Sequence, residues 1–559
     1  MEALLLGSIV FAPLAFAAVE PWAFGLLYAV FFGLAARIYT RGLDQNPNPL
    51  YKNLLPAVLG VALIGLLQAI TERPINAPSA ILFTVWRPST LNAVVTWLFY
   101  AAVLYTVPQI IRTPAQLQRL LWTIFGVGVL VALIGMFQKT GENTLVYGLR
   151  SVHAQPYGPF VNRDHGASFL ALAAMAGLGI FFSGFRGLTA HQSRGKFFDL
   201  LAVQLLKLVM LCSVVYGIYR TGSRGGLHSF VIASAVLGML AAVALRVKRA
   251  KVSAFAALFI LLAGYTVFVL QDKKLMGLEG GQFDSSVRTR FSMYRSSWNM
   301  LTDFPVFGSG LGAVEHAFPP YKLPDISAGE LVRHVHSEWL ELFIQTGIAG
   351  GLLYFLGLGA ALWGVFRVWA SSYSFTLKAL AGGAFGAVLA AIVHNGAEFA
   401  LRMPANALIF YTLIGALASP GALGKAPDSD EEEPAPPRPA PLKYAVPAAF
   451  LAALLSLAAI PPVLAWQAAM AARQADPELK ITLLATALKW RPDPQTAFQL
   501  GGEYYNQALK SAAPCPLIKA SREAIQPYLE RVPANPFLAD LDLKLRHQSY
   551  TCSRPRPNH

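Results

Sequence analysis

Charged residues are scarce in this chain, and their scarcity excludes most soluble folds. Only 13% of the 559 residues are Asp, Glu, Lys or Arg, whereas soluble domains carry about 25%. Apolar runs of roughly 16 to 25 residues recur from Leu4 onward, and such runs can cross a hydrocarbon core of ~30 Å. The sequence therefore predicts an all-α polytopic membrane protein.

The N-terminus has no positively charged segment before its first apolar run. The opening sequence, MEALLLGSIVFAPLAFAAVEPW, therefore differs from a cleaved secretory signal, and we interpret it as a retained first span. The apolar pattern predicts about 12–13 spans in total. They are 3–18, 22–36, 54–70, 91–108, 119–137, 167–184, 202–219, 227–245, 252–270, 338–366, 379–394, 405–420 and 444–465.

Fourteen of the 45 basic residues, which give the chain a net charge of +15, lie in alternate short loops between the predicted spans. Short loops rich in Lys and Arg stay in the cytoplasm, so these residues set the orientation and do not indicate a nucleic-acid-binding surface. They are Arg37, Arg41, Lys52, Arg112, Arg119, Arg186, Arg194, Lys196, Arg246, Lys248, Arg249, Lys251, Arg367 and Lys378. The alternate loops, with the long loop at about 271–337 among them, are predicted to face outward. This long loop is also basic, which an anionic ligand would explain.

The C-terminal part is predicted to contain a linker, a further span and a soluble region. Residues 421–443 are rich in Pro, Ala and acidic residues, which predicts a disordered cytoplasmic linker after a transmembrane core at 1–420. A transmembrane helix at 444–466 then carries the C-terminus outside. The periplasmic region 467–559 has helical spacing and resembles a degenerate tetratricopeptide-type region. So short a region buries little core alone, so we expect it to dock on the membrane body or on a partner protein.

Cysteine is nearly absent, with three residues in the whole chain. Cys212 lies within a predicted span, where inert packing is expected. Cys515 and Cys552 both lie in the tail, which the predicted topology places outside the cytoplasm. A disulfide between them and two free thiols are both compatible with the sequence, because spacing alone does not establish proximity.

A Gly-rich turn with two arginines follows the predicted span 202–219. It reads Arg220-Thr-Gly-Ser-Arg-Gly-Gly226, and Ser223 is a candidate N-cap for the helix behind it. Free N–H groups, the helix dipole and glycines that admit a ligand predict an anion site there. Arg220 and Arg224 would share a face if the turn were helical. The alternative is a capped helix end with an arginine that extends to the membrane interface.

Three arginines lie close together in the long loop, at Arg288, Arg290 and Arg295. Arg288 and Arg295 are seven residues apart, so they are expected to stack on one face of a helix at 287–301. Guanidinium groups bind oxyanions through paired hydrogen bonds, which suits phosphate recognition. An amphipathic helix lying on anionic headgroups is the alternative. The stretch 307–312 is Gly-rich but follows no strand, so we predict a flexible turn and not a phosphate loop.

Two histidines precede the tenth predicted span, in His334-Val-His336-Ser-Glu-Trp-Leu-Glu341. A zinc site is only weakly indicated, because no third ligand follows at a typical spacing. A histidine at a helix N-terminus tends to stay neutral and can accept a proton, so His336 is a candidate general base. Packing at the membrane interface is the alternative.

Polar residues also lie at the ends of two other outer loops. Asn162 and His165 end the loop before the sixth predicted span, and Glu398 lies in the loop after the eleventh. Ionisable residues at membrane depth are functional candidates by default, although bracing of the loops explains each of them equally well.

Together these motifs resemble the O-antigen ligase/polymerase family of bacterial envelope glycosyltransferases. The likeness extends from about Gly158 to Asn406. The best matches are TGSRGG at 221–226, RFSMYRSSWNMLTDFPVFGSGLG at 290–312, HVHSEWLELFIQTGIAGG at 334–351 and PFVNRDHGASFL at 159–170. The chain departs from the family at Asp164, Ser337 and Glu398, where Asn, Asn and Asp are frequent. These departures leave the sugar and the acceptor open.

The resemblance implies transfer of a glycan from undecaprenyl diphosphate to an acceptor hydroxyl, on the periplasmic side of the bacterial inner membrane. It implies lipid A–core or another glycan as acceptor, inversion at the anomeric carbon, and neither a metal nor a cofactor. His336 would be the catalytic base. Arg224 and Arg290 would bind the diphosphate, and Arg288 and Arg220 are further diphosphate-binding candidates from the motifs themselves. The further candidate substrate contacts, from their place in the outer segments, are Asn162, His165, His334, Glu338, Arg295 and Glu398.

Other functions remain compatible with the sequence. A ligase for lipopolysaccharide or another surface polysaccharide is favoured slightly over a glycan polymerase or a protein O-oligosaccharyltransferase of the same family, but no motif separates them. A lipid-carrier transporter would place charged or broken-helix sites at mid-span, whereas the predicted spans are mainly apolar. A non-catalytic scaffold would use the tail to recruit envelope proteins. Hydrolysis is disfavoured, because no pair of carboxylates of the glycosidase type stands out.

Overall fold

The computed structural model describes most of the chain. The described residues are 1–41, 52–75, 78–138, 145–148, 150–151, 155–185, 193–244, 248–271, 278–279, 282–327, 329–371, 374–419, 421–424 and 441–552. Most of the predicted linker 421–443 lies outside the described residues, as do the loop arginines Arg186 and Arg246.

Helices make up nearly all of the regular structure in the described ranges. The α-helices are α1 (Glu2–Leu14), α2 (Pro21–Thr40), α3 (Leu54–Gln68), α4 (Arg87–Ile110), α5 (Pro114–Phe137), α6 (Arg163–Ser183), α7 (Arg194–Arg220), α8 (Arg224–Ala244), α9 (Lys248–Gln271), α10 (Ser285–Asp303), α11 (Val314–Ala317), α12 (Glu338–Ser371), α13 (Phe375–His394), α14 (Pro404–Leu417), α15 (Leu442–Leu457), α16 (Ile460–Ala472), α17 (Pro477–Trp490), α18 (Pro494–Ala508), α19 (Pro514–Leu529) and α20 (Pro536–Cys552). Short 3₁₀ turns occur at Phe16–Ala18, Pro319–Tyr321, Ala400–Arg402 and Gly421–Leu423. Two antiparallel pairs, β1 (Leu145–Val146) with β2 (Arg150–Ser151) and β3 (Leu278–Glu279) with β4 (Gln282–Phe283), are the strands of the described part. The all-α prediction is confirmed.

Nine helical segments of the described ranges are long and apolar enough to cross a membrane. They are α2, α4, α5, α6, α7, α8, α12, α13 and the segment Lys443–Ala472, which α15 and α16 share. Helices α1, α3 and α14 are apolar but shorter. The protein is therefore a polytopic α-helical membrane protein. The number and orientation of the spans stay predictions from the apolar pattern and the loop charges.

Helix α6 lies at the centre of the bundle because its residues are small or apolar on every side. Of its apolar window 83% is buried, against 67% in α13 and 17% in α7. Glycine lets α13 approach closely, since a Cβ at Gly179 would lie 3.0 Å from the Cα of Gly383. The N-terminus of α6, which carries Asn162 and His165, is thereby fixed against neighbouring spans.

The Gly-rich stretch 307–312 is mainly buried and ordered by hydrogen bonds, so the predicted flexible turn is wrong. The amides of Ser309, Gly310, Leu311 and Gly312 donate to Ile344 O, Gln345 O, Gln68 Oε1 and Gln345 Oε1 at 3.0, 3.1, 2.9 and 3.0 Å. Helix α12 bends at Gly347, whose φ is +65° and where a Cβ would lie 2.2 Å from the carbonyl carbon of Val306. The stretch therefore packs against the bend in α12, and its amides are not available to a phosphate.

The C-terminal tail packs on the loops that are predicted to face outward, which is one of the two arrangements expected from the sequence. One apolar cluster joins both parts. Its loop members include Phe83, Trp86, Phe304, Phe318 and Val335, and its tail members include Ile518, Ile525, Val532, Leu538 and Leu541. The Tyr528 ring lies 5.9 Å from that of Trp86, and the Arg531 guanidinium 5.7 Å from it. Each part buries apolar surface that it could not bury alone. The likeness of the tail to tetratricopeptide repeats stays a prediction.

The cysteines divide into a bonded pair and one exposed residue. Cys515 at the start of α19 and Cys552 at the end of α20 form a disulfide, with their Cα atoms 5.7 Å apart. Cys212 is exposed on α7, so the expectation that it would be packed is wrong. Periodicity did not reveal this, because an apolar face directed at lipid looks the same in sequence as one directed at protein.

Candidate active site

His336 lies two residues before α12 in a backbone conformation that few non-glycine residues adopt. Its φ is +53°, in the left-handed region where histidine is tolerated better than branched residues. The Tyr294 hydroxyl of α10 donates to the His336 carbonyl at 2.8 Å. The His336 Nδ1 lies 3.2 Å from Glu398 Oε2. A carboxylate only accepts hydrogen bonds, so Nδ1 is the donor in this contact, and Nε2 is the ring nitrogen that accepts a proton when the imidazole is neutral.

Glu398 joins His336 to Arg290. One carboxylate oxygen faces the imidazole, and the other forms an ion pair with the Arg290 guanidinium. Burial alone would raise the pKa of Glu398, but the hydrogen bond from His336 and the charge of Arg290 outweigh burial and lower that pKa to about 2. Glu398 is therefore ionised at neutral pH and fixes the tautomer of His336.

Arg224 is held in the same way by a second carboxylate. Asp284 caps α10 by accepting from the Val287 amide at 2.9 Å, and its other oxygen forms an ion pair with Arg224. Arg224 also donates to the Ser286 hydroxyl at 2.9 Å. The hydrogen bond from Arg224 is the main cause that lowers the pKa of Asp284 below its usual range. Two of the four candidate diphosphate-binding arginines, Arg224 and Arg290, are thus already paired with acidic side chains.

Helix α10 connects these two ion pairs. Asp284 lies just before the helix and Arg290 six residues later, which corresponds to about 9 Å along a helix axis. Arg224 reaches α10 from the start of α8, and His336 reaches it through Glu398 and Tyr294. Residues from three separate segments therefore meet at this helix.

An aromatic side chain that the sequence did not single out lies between the histidines. The ring of Phe399 stacks on His334 at 4.3 Å and meets His336 at 5.1 Å and His165 at 4.8 Å. His165 is buried, and neither of its ring nitrogens has a hydrogen-bond partner in the described part of the chain. Asn162 caps α6 by accepting from the Asp164 amide at 2.8 Å. Its observed contact is structural.

A second polar network lies behind the histidines. Glu341 lies 3.1 Å from His334 Nδ1 and 3.2 Å from Arg402 Nη2, and Arg402 Nε lies 3.0 Å from Glu338. The Glu338 amide donates to the Glu398 carbonyl at 2.9 Å, which connects this network to the site around His336. In the part of the chain that the structure describes, no three His, Cys, Asp or Glu side chains are grouped as metal ligands would be.

The remaining candidate arginines are not brought into these ion pairs. Arg220, Arg288 and Arg295 are exposed, and none forms an ion pair with another described residue. The turn after Arg220 is not helical, because α7 ends there, Gly222 has φ of +67° and α8 begins at Arg224. The condition under which Arg220 and Arg224 would share a face is therefore not met. On α10, Arg288 and Arg290 lie roughly 200° apart around the axis, which is why only Arg290 reaches Glu398.

The glycines of the turn 221–226 are explained by packing. The predicted cap is present, since Ser223 Oγ accepts from the Gly226 amide at 3.3 Å. A Cβ at Gly226 would lie 2.4 Å from the Cβ of Ala167, and one at Gly225 would lie 3.3 Å from His394 Nε2. These glycines therefore bring α8 against α6 and α13, and the expectation that they admit a ligand has no support in these contacts.

Three contributors to the site were missed from the sequence. Asp284 could have been predicted as a helix N-cap, because Asp is a typical N-cap residue and here it directly precedes Ser-Ser-Val-Arg. No sequence pattern predicts the roles of Tyr294 and Phe399, since these roles depend on which distant segments pack against them.

An apolar groove lies on the surface next to the arginines of 220–224. Its volume is about 540 Å³, and its lining comes from α7, α8 and α9. The lining residues are Leu211, Cys212, Val215, Tyr216, Tyr219, Leu227, Phe230, Val231 and Tyr265. Tyr219 adjoins Arg220, and Leu227 lies about one turn after Arg224, so one end of the groove lies close to the charged turn.

Residues 208–355 match the family model described as O-antigen ligase. The matched region contains Arg224, Arg290 and His336, whereas Asn162 and Glu398 lie outside it. The match confirms the resemblance of this region to the O-antigen ligase/polymerase family. No curated protein sequence gives a significant match.

Proposed function

We propose, on the premise that residues 208–355 form an O-antigen ligase domain, that the protein transfers a glycan from undecaprenyl diphosphate to an acceptor hydroxyl. The family match supports a membrane glycosyltransferase of the O-antigen ligase/polymerase type. The observation that carries the finer proposal is the contact of His336 with ionised Glu398, whose other oxygen holds Arg290. A proton acceptor and a phosphate-binding group are thereby fixed on one carboxylate.

His336 acts as the general base in this proposal. Its free Nε2 takes the proton of the acceptor hydroxyl while that oxygen attacks the anomeric carbon of the donor glycan. The bond from the anomeric carbon to the phosphate oxygen breaks, and the diphosphate leaves with the electron pair. Attack from the side opposite the diphosphate inverts the anomeric configuration. Ionised Glu398 stabilises the imidazolium that forms.

Arg224 and Arg290 bind the diphosphate in this proposal. A guanidinium has five N–H donors, so a pairing with one carboxylate leaves donors for phosphate oxygens. The two side chains retain exposures of 23% and 27%, which leaves both accessible to a ligand. Asp284 and Glu398 hold them in place before the substrate arrives, so little reorganisation is needed when charge develops on the leaving group. The exposed Arg220 and Arg288 add positive potential nearby.

The apolar groove on α7, α8 and α9 is a suitable site for the polyprenyl chain of the donor. Its lining is almost entirely apolar, and one end lies beside Arg220 and Arg224. A lipid diphosphate has a matching arrangement of apolar and charged parts, because its apolar chain ends in a dianionic group. The exposed Cys212 lies within this groove and would face the chain.

We place the site on the periplasmic face of the inner membrane. Loop charge supports this side, because the short Lys/Arg-rich loops are expected in the cytoplasm. The Cys515–Cys552 bond supports it independently, since disulfides persist in oxidising compartments. The tail packs on the same outer loops that carry the site, so both are expected on one face.

Thiol labelling of whole cells tests this orientation. In a Cys212→Ser background, Asn506→Cys adds an exposed thiol on α18, and a reagent that does not cross membranes is expected to label it without lysis. Ala115→Cys, exposed on the opposite predicted face at the start of α5, is the matched control and should react only after lysis. The reverse pattern would move the site to the cytoplasm.

A deletion strain distinguishes the members of the family. A ligase predicts that polymerised glycan accumulates on the carrier lipid and is lost from the surface acceptor. Accumulation of single repeat units indicates a polymerase, and loss of glycan from protein only indicates a protein O-oligosaccharyltransferase. Complementation by the wild-type chain restores the pattern, and an unchanged glycan profile in the deletion strain would contradict the proposed transfer.

A further inference from the structure

A polar cavity of about 290 Å³ lies between α4, the start of α12, the turn Ala400–Arg402 and the tail. Its lining includes Asn92, Glu338, Arg402 and Arg491. His336, Arg224 and Arg290 do not line it, so it is distinct from the proposed diphosphate site. Glu338 follows His336 by two residues, which span at most about 7 Å, so a ligand in the cavity would lie close to the base.

Three polar groups of the lining have donors or acceptors without a partner among the described residues. One carboxylate oxygen of Glu338 faces Arg402, but the other, Oε2, is buried and makes no hydrogen bond with them, in a residue that is only 9% exposed. The Asn92 amide group and the Arg491 guanidinium make no hydrogen bond or ion pair with any other described residue. Leaving a buried polar atom such as Glu338 Oε2 unsatisfied is costly, and the half-buried Asn92 and Arg491 line the same cavity, so the lining indicates a polar ligand.

The chemistry of the lining selects a neutral ligand with many hydroxyl groups. Four ionisable side chains line the cavity, and the formal charges of Glu315 and Glu338 balance those of Arg402 and Arg491. The ion-pair partners behind them, Arg333 on Glu315 and Glu341 on Arg402, add one charge of each sign and keep this balance. An anion would face two carboxylates, a cation would face two guanidiniums, and an apolar molecule would bury the unpartnered groups without hydrogen bonds. A sugar both donates and accepts hydrogen bonds, and its apolar ring face can pack on Trp97 or Trp339, which also line the cavity.

The tail contributes to this cavity directly. Arg491 lies between α17 and α18, in the region that packs on the outer loops. A neighbouring cavity, also of about 290 Å³, shares Asn92, Thr96, Arg402 and Arg491 with the first. The shared residues lie where the two cavities adjoin, which gives room for more than one sugar ring.

We propose that this cavity binds a neutral sugar of the acceptor glycan, and that Arg491 of the tail completes the binding site. The inference rests on the proposed transfer reaction. The acceptor is the occupant because the donor is expected to hold its diphosphate at Arg224 and Arg290 and its polyprenyl chain on α7, α8 and α9, none of which lines the cavity. The tail thereby takes part in acceptor selection.

Initial rates in membranes test the site, with two extracts of the deletion strain as probes: its glycolipid fraction as acceptor and its carrier-linked glycan as donor. Arg491→Ala and Asn92→Ala are each expected to raise the acceptor KM about tenfold, the effect of one lost charged or polar hydrogen bond, and to leave the donor KM and kcat unchanged. Arg522→Ala, a change of the same kind at an exposed position of the tail, is the control and should change nothing. A rise in the donor KM, or no rise in either, overturns the assignment.

A binding measurement separates this inference from the reaction itself. The full-length His336→Ala protein is titrated with delipidated oligosaccharide from the glycolipid fraction, and tryptophan fluorescence is followed because Trp97 and Trp339 line the cavity. A saturable change that weakens about tenfold on adding Arg491→Ala supports the site. No saturable change, or one that Arg491→Ala leaves intact, refutes it.

A non-reducing gel controls for folding, because loss of the Cys515–Cys552 bond identifies a misfolded variant. If Arg491→Ala is misfolded, Arg491→Lys, which keeps the charge, is titrated in its place. Retained transfer by His336→Ala would instead contradict the base and leave the cavity untouched.

Discussion

Replacing His336 by alanine is expected to abolish glycan transfer while expression and membrane insertion persist. General base catalysis typically contributes about 10²–10⁴-fold to a rate, so transfer should fall by at least two orders of magnitude. The fold should tolerate the change, because the His336 ring is about 30% exposed and α12 begins only after it. The measurement is transfer of carrier-linked glycan to the acceptor fraction in isolated membranes, with protein amount matched by immunoblot.

Glu398→Gln is the companion variant for His336. A neutral amide can still accept from Nδ1, but it no longer stabilises the imidazolium or the Arg290 charge, so kcat should fall by less than in His336→Ala. A retained wild-type rate in His336→Ala would remove this residue as the base. Equal losses in His334→Ala and His336→Ala would indicate that the segment as a whole, and not one imidazole, is needed.

Arg290→Lys is expected to impair transfer strongly although it preserves the positive charge. Lysine cannot present two parallel N–H donors, so the contact with Glu398 and the contact with the diphosphate compete for one ammonium group. Loss of one preorganised donor to a developing oxyanion costs about 2.7–4 kcal/mol in comparable enzymes, which corresponds to roughly 100- to 1,000-fold in rate. The measurement is kcat with saturating donor in membranes.

Arg295→Lys provides the matched control on the same helix. Arg295 is exposed and forms no ion pair with another described residue, so this change should leave the rate close to wild type. Arg224→Lys should be impaired like Arg290→Lys, because Asp284 holds Arg224 as Glu398 holds Arg290. Wild-type rates in both Arg224→Lys and Arg290→Lys would count against a diphosphate clamp at these residues.

The parts of the fold that could be predicted from the sequence are those with a regular pattern of apolar residues. Apolar runs located the long helices, and the predicted helix at 287–301 is found as α10, from Ser285 to Asp303. Predictions failed at a glycine-rich stretch and at a residue whose surroundings, lipid or protein, the sequence does not reveal. The stretch 307–312 looked flexible because its sequence is Gly-rich, yet Gln68 and Gln345 from distant helices satisfy its amides. Cys212 looked packed because sequence does not distinguish a lipid-facing side from a protein-facing one.

The sequence predicted several residues of the candidate site, but it did not predict which of them contact one another. The sequence pointed to His336, Arg224 and Arg290, and the structure joins His336 and Arg290 through Glu398. It did not predict that both arginines would be paired with carboxylates, nor that Phe399 would contact three histidines. Arg288 lies only two residues from Arg290 in sequence but on the other side of α10, so proximity along the chain did not bring it to the same contact.

The sequence by itself determined that this is a multi-span helical membrane protein with a histidine and several arginines outside its apolar runs. Hydrophobic periodicity and local charge are properties of neighbouring residues, so they can be read from the chain directly. Only the tertiary structure decided which arginines face Glu398 and Asp284, that the tail reaches the cavity with Arg491, and that Cys515 meets Cys552. These pairings join residues far apart in the chain, and close packing of whole helices fixes them.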